Sequence, residues 1–165
     1  MTARAQVVLD ADFLSAFLKI EQLPLVREFF GVEDLLFPPA VLREISVTDL
    51  LLRLAVIPGI HLQSPDPKKI QVLRSEGAFS LLGAGEQEAI ALSLELASSV
   101  LLMNDNRAGQ IATRLGVEVI NVPGFLLACK ASGSISQKQI AELVSALKEK
   151  DHYGFRKDAL DLLLS

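Results

Sequence analysis

Cysteine and histidine are scarce in this chain, with one Cys and two His among 165 residues. A lone cysteine excludes an internal disulfide and a cysteine-rich zinc site, and Cys129, in the apolar stretch Phe125 to Cys129, reads as a small buried residue. His61 stands beside a proline and glycine turn and His152 in a charged loop, so both read as solvated and neither supports a histidine-based ribonuclease. Long apolar runs are also missing, which excludes a helical membrane span, and Met1 to Gln6 lacks the apolar stretch of an export signal. A soluble cytoplasmic protein is expected. Positive charge is not in excess either. The formal net charge is -4, so any contact with nucleic acid must be local rather than made by a general positive field. Carboxylates that hold divalent cations reverse the sign of a site, so an acidic chain remains compatible with phosphate chemistry. There is no Gly-x-Ser-x-Gly elbow and no phosphate-binding P-loop, and Gly83-Ala84-Gly85 lacks the third glycine and preceding strand of a dinucleotide loop. No repeat, low-complexity segment or long linker divides the sequence.

What is present is apolar material: half the residues are hydrophobic, ample for one buried core. Short runs rich in Val, Ile and Leu alternate with longer helical patterns, the signature of a parallel sheet flanked by helices. Strands are expected at Gln6 to Leu9, Leu35 to Phe37, Ile60 to Gln63, Val100 to Met103 and Val117 to Ile120. Helices are expected over Asp12 to Ile20, around Leu25 to Phe30 with Gly31 as the stop, from Pro38 and Pro39 through Glu44, and over Thr48 to Val56. Further helices read at Glu86 to Leu96, Arg107 to Leu115, Gly124 to Ala131, Ser136 to Lys150 and Lys157 to Leu164, with a capping box at Ser136 to Gln139. Ser64 to Pro67 reads as a turn, and the sheet order is not legible. The expected architecture is α/β, a three-layer α/β/α sandwich with a mostly parallel central sheet. It forms a single domain over residues 1–165 in which 134–165 is a C-terminal helical extension.

Ligands of parallel α/β sheets bind outside the carboxyl ends of strands. Two strands here run into aspartate: Val7-Val8-Leu9 into Asp10, with Asp12 two residues on, and Leu101-Leu102-Met103 into Asn104, Asp105 and Asn106. Either aspartate alone reads first as a helix N-cap. Glu44 at a helix end and Glu86 in a first turn, each near a strand end, have equally ordinary readings as solvated or dipole-stabilised carboxylates. Their combined order carries more than any one position.

That order resembles the PIN-domain family. The likeness lies in VVLDADFLSAFL (Val7 to Leu18), PPAVLREI (Pro38 to Ile45), GAGEQEAIALSL (Gly83 to Leu94) and LLMNDNRAGQIATRLG (Leu101 to Gly116). Val122 to Ile135, with GFLLACKASGSI, is similar to the segment after the last core strand in one prokaryotic branch, and the likeness is thinnest over residues 47–80. Carried over position by position, it puts the four acids on Asp10, Glu44, Glu86 and Asp105. Glu88 is a second candidate for the third, but residues two apart on a helix point in different directions, and aligning Ser93-Leu94-Glu95 with the family's Ala-Leu-Glu run favours Glu86. The chain departs from the pattern at Ala11, where Thr or Ser is common, at Asp12, where Ser or Asn is, at Asn104, where many of this branch have Asp, and at Gly109, often Arg. The missing hydroxyl bears on substrate positioning more than on metal binding.

The resemblance implies a ribonuclease that uses Mg²⁺ or Mn²⁺ to hydrolyse RNA by in-line attack of water on phosphorus, releasing a 3′-hydroxyl. Such ions prefer oxygen ligands and suit a nest of carboxylates. Asp10, Asp105 and Glu86 are the implied metal ligands, and Glu44 orients or deprotonates the attacking water. Asp12, Asn104 and Asn106 stand close enough in sequence to support them, and Arg107 is a candidate phosphate contact beside its reading as a surface arginine. Small prokaryotic members resemble VapC-type toxins paired with an antitoxin. A competing reading is a catalytically degenerate PIN domain or a receiver-like module that binds metal without cutting. Leu25, Phe29, Phe30, Leu160, Leu162, Leu163 and Leu164 offer apolar surface that points to a homodimer or a bound partner.

Overall fold

In the computed structural model, which describes residues 5–165, five strands form one sheet: β1 (Gln6–Leu9), β2 (Leu35–Phe37), β3 (Ile60–Leu62), β4 (Ser99–Leu102) and β5 (Glu118–Ile120). Residues 1–4, part of the stretch read above for an export signal, lie outside the described residues. The strand order is β3-β2-β1-β4-β5 and every pairing is parallel, so the sheet is wholly rather than mostly parallel. Because every crossover must return to the same edge, each is made through helices. α1 (Ala11–Lys19) and α2 (Leu23–Phe30) lead to β2, α3 (Pro39–Ser46) and α4 (Leu50–Ala55) to β3, and α5 (Pro67–Arg74), α6 (Gly77–Ser80) and α7 (Ala84–Glu95) to β4. α8 (Asn106–Arg114) leads to β5, and α9 (Val122–Ala131), α10 (Gln137–Lys150) and α11 (Lys157–Leu164) follow.

Alternation along β1 divides the core. Val7 and Leu9 face one way and join Phe13, Phe17, Val26, Val41, Leu54, Phe125, Leu126 and Leu147, while Val8 faces the other way among Ile90, Leu101, Ala108 and Ile111. β1 and β4 are buried on both faces, which is why they read as unbroken Val and Leu runs. The result is a three-layer α/β/α sandwich. Gly31 ends α2 at φ 64°, a left-handed value that glycine adopts without strain.

The tail joins the larger core. Ile140, Leu143, Val144 and Leu147 of α10 and Leu163 of α11 are buried in it. Phe29 and Phe30 lean on Phe125, with ring centroids 5.4 and 6.1 Å away, and Leu25 and Leu160 also pack there. Most of the apolar surface behind the homodimer expectation is therefore absorbed within the chain, leaving Leu162 and Leu164 exposed. Pro67 does not belong to a turn. It opens α5, with Asp66 Oδ1 accepting from Lys68 N at 2.9 Å. Among the described residues, no helix is long and apolar enough to cross a membrane.

Candidate active site

The chain moves outward from β1 through β2 to β3, then returns to the other side of β1 for β4 and β5. Strand order reverses between β1 and β4, and the crevice outside the carboxyl ends of strands at such a reversal is the usual ligand position in parallel sheets. Leu9 pairs with Leu102, and the next backbone step is Asp10 N–H donating to the Leu102 carbonyl at 3.0 Å. Asp10 and Asp105 therefore leave adjacent strands on the same edge of the sheet.

The two aspartates differ in how they are used. Asp105 Oδ1 accepts from Ala108 N at 2.8 Å, an ordinary N-cap for α8. Asp10 occupies the equivalent place before α1 but makes no side-chain cap. It is 3% exposed, and its Oδ1 is the one buried side-chain polar atom among the described residues without a hydrogen-bond partner. A buried, unpaired carboxylate oxygen is expensive, so the capping explanation fails for Asp10. Burial lifts its carboxyl from 3.8 to about 7; the Ala11 N–H pulls the other way, and the charges of Asp12, Glu86 and Glu44 add to the rise.

Glu44 reaches the crevice from α3, and Gly85 opposite it supplies a backbone hydrogen bond. A Cβ on Gly85 would collide with Glu44 Oε1, so the close approach requires glycine at that position. Glu86, in the first turn of α7, accepts from Gly83 N at 3.0 Å through Oε1. Burial raises the Glu44 and Glu86 carboxyls, and each is pushed further by Asp12. Glu86 also feels Asp105 above and Arg107 as the one opposing cation. Asp12, at the exposed rim, is raised by burial and by Asp105 and Asp151, against Lys19. Asp10, Asp12, Glu44, Glu86 and Asp105 thus form one mutually repelling cluster.

Glu88 stands apart from it. Its carboxylate accepts from Ala40 N at 3.4 Å and from Arg43 Nη2 at 3.3 Å, closing the N-terminus of α3, whose flanking Pro38 has no side chain that can do so. Asn104 Oδ1 accepts from the Tyr153 hydroxyl at 2.6 Å and from Val122 N at 3.5 Å. Asn106 and Arg107 are exposed at the start of α8.

A cleft of about 700 Å³ adjoins the cluster, lined in part by Asp12, Lys19, Asn104, Asn106, Tyr153 and Arg156. Its far wall comes from residues that the sequence pattern did not mark. Asp151 pairs with Lys19 at 2.8 Å, and Tyr153, the only tyrosine of the chain, bonds to Asn104. The separation between these partners in the chain hides them from any local pattern.

As the side chains stand, no three Asp, Glu, His or Cys among the described residues converge tightly enough to enclose an ion by themselves. The donor set nonetheless suits a hard divalent cation that keeps waters in its shell. Every donor in the cluster is an oxygen, and Asp10 Oδ1 is buried without a partner.

The order of strands separates this chain from receiver-like sheets, which run 2-1-3-4-5. The family model DUF3368, described as a PIN domain, matches residues 6–162. No curated protein matches the chain significantly.

Proposed function

We propose, for a chain that belongs to the PIN-domain family of nucleases, that it is a Mg²⁺- or Mn²⁺-dependent endoribonuclease acting at the crevice between β1 and β4. The observation that carries the reading is the buried Oδ1 of Asp10, unpartnered and hemmed by Asp12, Glu44 and Glu86 at the topological switch point. A group kept charged-capable and unsatisfied in such a place is a strained site whose relief is a ligand.

Asp10, Asp105 and Glu86 are the residues that would hold the ion. When bound, the ion neutralises phosphate charge and makes water a better nucleophile near neutral pH. Glu44, at the rim and with its carboxyl raised, is suited to take the proton of the attacking water, because a base works best when its pKa nears the operating pH. Water adds to phosphorus in line with the departing oxygen, the P–O3′ bond breaks, and the 3′-oxygen leaves as a hydroxyl after taking up a proton. Arg107, the cation beside Glu86, steadies the phosphate, while Asp12, Asn104 and Asn106 surround the acids.

The test is incubation of the purified protein with mixed RNA substrates and Mn²⁺, alongside EDTA and an Asp105→Asn control. Cleavage that needs Mn²⁺ and disappears in the variant is expected. Asn keeps the cap on α8, so lost activity in a folded variant isolates the charge. No cleavage by the wild-type protein under any of these ions refutes the reading. The resemblance extends it to the toxin of a toxin–antitoxin pair, for which growth arrest on induced expression, relieved by Asp10→Asn, is the required outcome.

A further inference from the structure

We infer that Asn104 is a substrate-binding residue whose amide N–H grips a phosphate oxygen of the bound strand, and that Tyr153 positions it. This rests on the reading of the carboxylate cluster as a phosphodiester-cleaving site. Asn104 follows β4 immediately before Asp105 and is half-buried. Its side-chain oxygen accepts from the Tyr153 hydroxyl at 2.6 Å and from Val122 N at 3.5 Å. A backbone N–H can only donate, so the oxygen must face Val122, and this fixes which way round the amide sits. A carbonyl oxygen has two lone pairs and both are engaged, so the side chain has nothing left to accept with. What remains is Nδ2 with two N–H donors, and it makes no hydrogen bond among the described residues.

Asn104 stands beside the acids that an anion would approach. Asn104 lines both the 700 Å³ cleft shared with Asp12 and a neighbouring depression of about 600 Å³ shared with Asp105, and the two meet along Asn104, Asn106 and Asn121. A cluster of carboxylates offers a phosphate only acceptors. A strand crossing from one depression to the other meets the fixed amide of Asn104 beside the acids, and an N–H to a charged oxygen is among the stronger hydrogen bonds. Tyr153 comes from the loop after α10, where its backbone N–H donates to the Leu147 carbonyl at 3.1 Å and its ring lies 4.6 Å from Phe155. With its hydroxyl fixed from behind, the amide is aimed before substrate arrives. An Asp at this position would keep the acceptor for the tyrosine but not the donor, so the contact depends on the amide.

The test measures binding of a short, labelled, single-stranded oligoribonucleotide in Ca²⁺ buffer, and kcat and KM with Mn²⁺. Asn104→Ala is expected to raise Kd and KM about tenfold, equivalent to about 1.4 kcal/mol. Asn104→Asp, which retains the acceptor for Tyr153 and Val122, is expected to raise both. Tyr153→Phe should raise Kd and KM with kcat held, the mark of lost uniform binding. Combining Tyr153→Phe with Asn104→Ala should be no worse than Asn104→Ala alone, because the tyrosine acts through the amide. If Tyr153 only anchors its loop, Tyr153→Phe lowers the melting temperature without moving Kd, and the positioning role is overturned. Wild-type cleavage with an unaltered Kd in Asn104→Ala overturns the amide contact while the nuclease reading stands. Failure of the wild-type protein to bind or cut overturns both.

Discussion

Replacing Asp10 by Asn tests the strain at the centre of the cluster. In the wild-type protein burial, partly offset by the Ala11 N–H and reinforced by Asp12, Glu86 and Glu44, carries the carboxyl from 3.8 to about 7. An acid with a higher pKa folded than unfolded holds its proton more tightly in the folded state. Its contribution to stability is complete below about pH 4 and is lost as pH rises to about 7, the reverse of a salt-bridged carboxylate. At about 1.4 kcal/mol per pH unit, the interval from about pH 5 to about pH 7 is worth roughly 3 kcal/mol, an upper figure because water penetration and rearrangement soften it. For a domain of 165 residues, 1 kcal/mol moves the midpoint by about 2–4 °C, so melting in EDTA should fall by about 5–10 °C between about pH 5 and about pH 8. Asp10→Asn removes this component and keeps a shallower slope of the same sign from Asp12, Glu44 and Glu86, whose carboxyls are also raised. At about pH 8 without metal the variant should be level with the wild-type protein or above it, since the relief offsets the ~1–3 kcal/mol of an imperfectly paired amide. Mn²⁺ at about a hundred times its Kd should add about 2.7 kcal/mol to the wild-type protein and little to the variant. Parallel melting curves, two pH values with and without Mn²⁺, give all four comparisons. Equal pH slopes and equal Mn²⁺ shifts in the two proteins would refute the assignment of Asp10 to the site.

Gly85→Ala places a methyl group against Glu44 Oε1 and should lower the cleavage rate at least about tenfold, with far-ultraviolet dichroism unchanged; wild-type rates would show that Glu44 need not sit there. Glu88→Gln weakens the contacts to Ala40 and Arg43 and should cost about 0.5–1 kcal/mol in urea denaturation while leaving cleavage and Mn²⁺ affinity intact. Loss of activity in that variant would return Glu88 to the site. Leu163→Ala opens a cavity under α11, where Leu163 is fully buried, and should destabilise the whole domain by about 2–5 kcal/mol in a single transition; a separate early transition would mean that the tail folds on its own.

The centre of the sheet was legible because β1 and β4 are buried on both faces, so each shows as an apolar run, and because both run into aspartate. That Glu86 and Glu88 do not face one site followed from the angular step of a helix, whereas the preference for Glu86 came from the family likeness at Ser93-Leu94-Glu95. α5 was hidden because only Ile70 and Leu73 of its eight residues are buried, leaving a charged surface pattern with a proline at its start. The strand order was hidden because β1 is flanked by partners that lie on both sides of it only after the chain has passed through β3 and returned. Asp151 and Tyr153 were hidden for a similar reason: a loop whose residues look like solvated polar chain becomes a wall of the cleft only when α10 packs on the core. The capping explanation, sound for Asp105, could be discarded for Asp10 only once the unpaired oxygen was seen.

The central place of β1 has a consequence for how the protein is made. The ribosome delivers β1 well before its second neighbour, β4, which is Ser99–Leu102, and Asp105 follows that strand. At the usual synthesis rate of about 5–20 residues per second, Asp10 waits on the order of ten seconds for its companion acid, and Tyr153 emerges later still. Throughout that interval one edge of β1 is uncovered, and Asp10 lacks both the Leu102 carbonyl that its N–H bonds and Asp105. For that interval the nascent chain is exposed to mispairing at that edge.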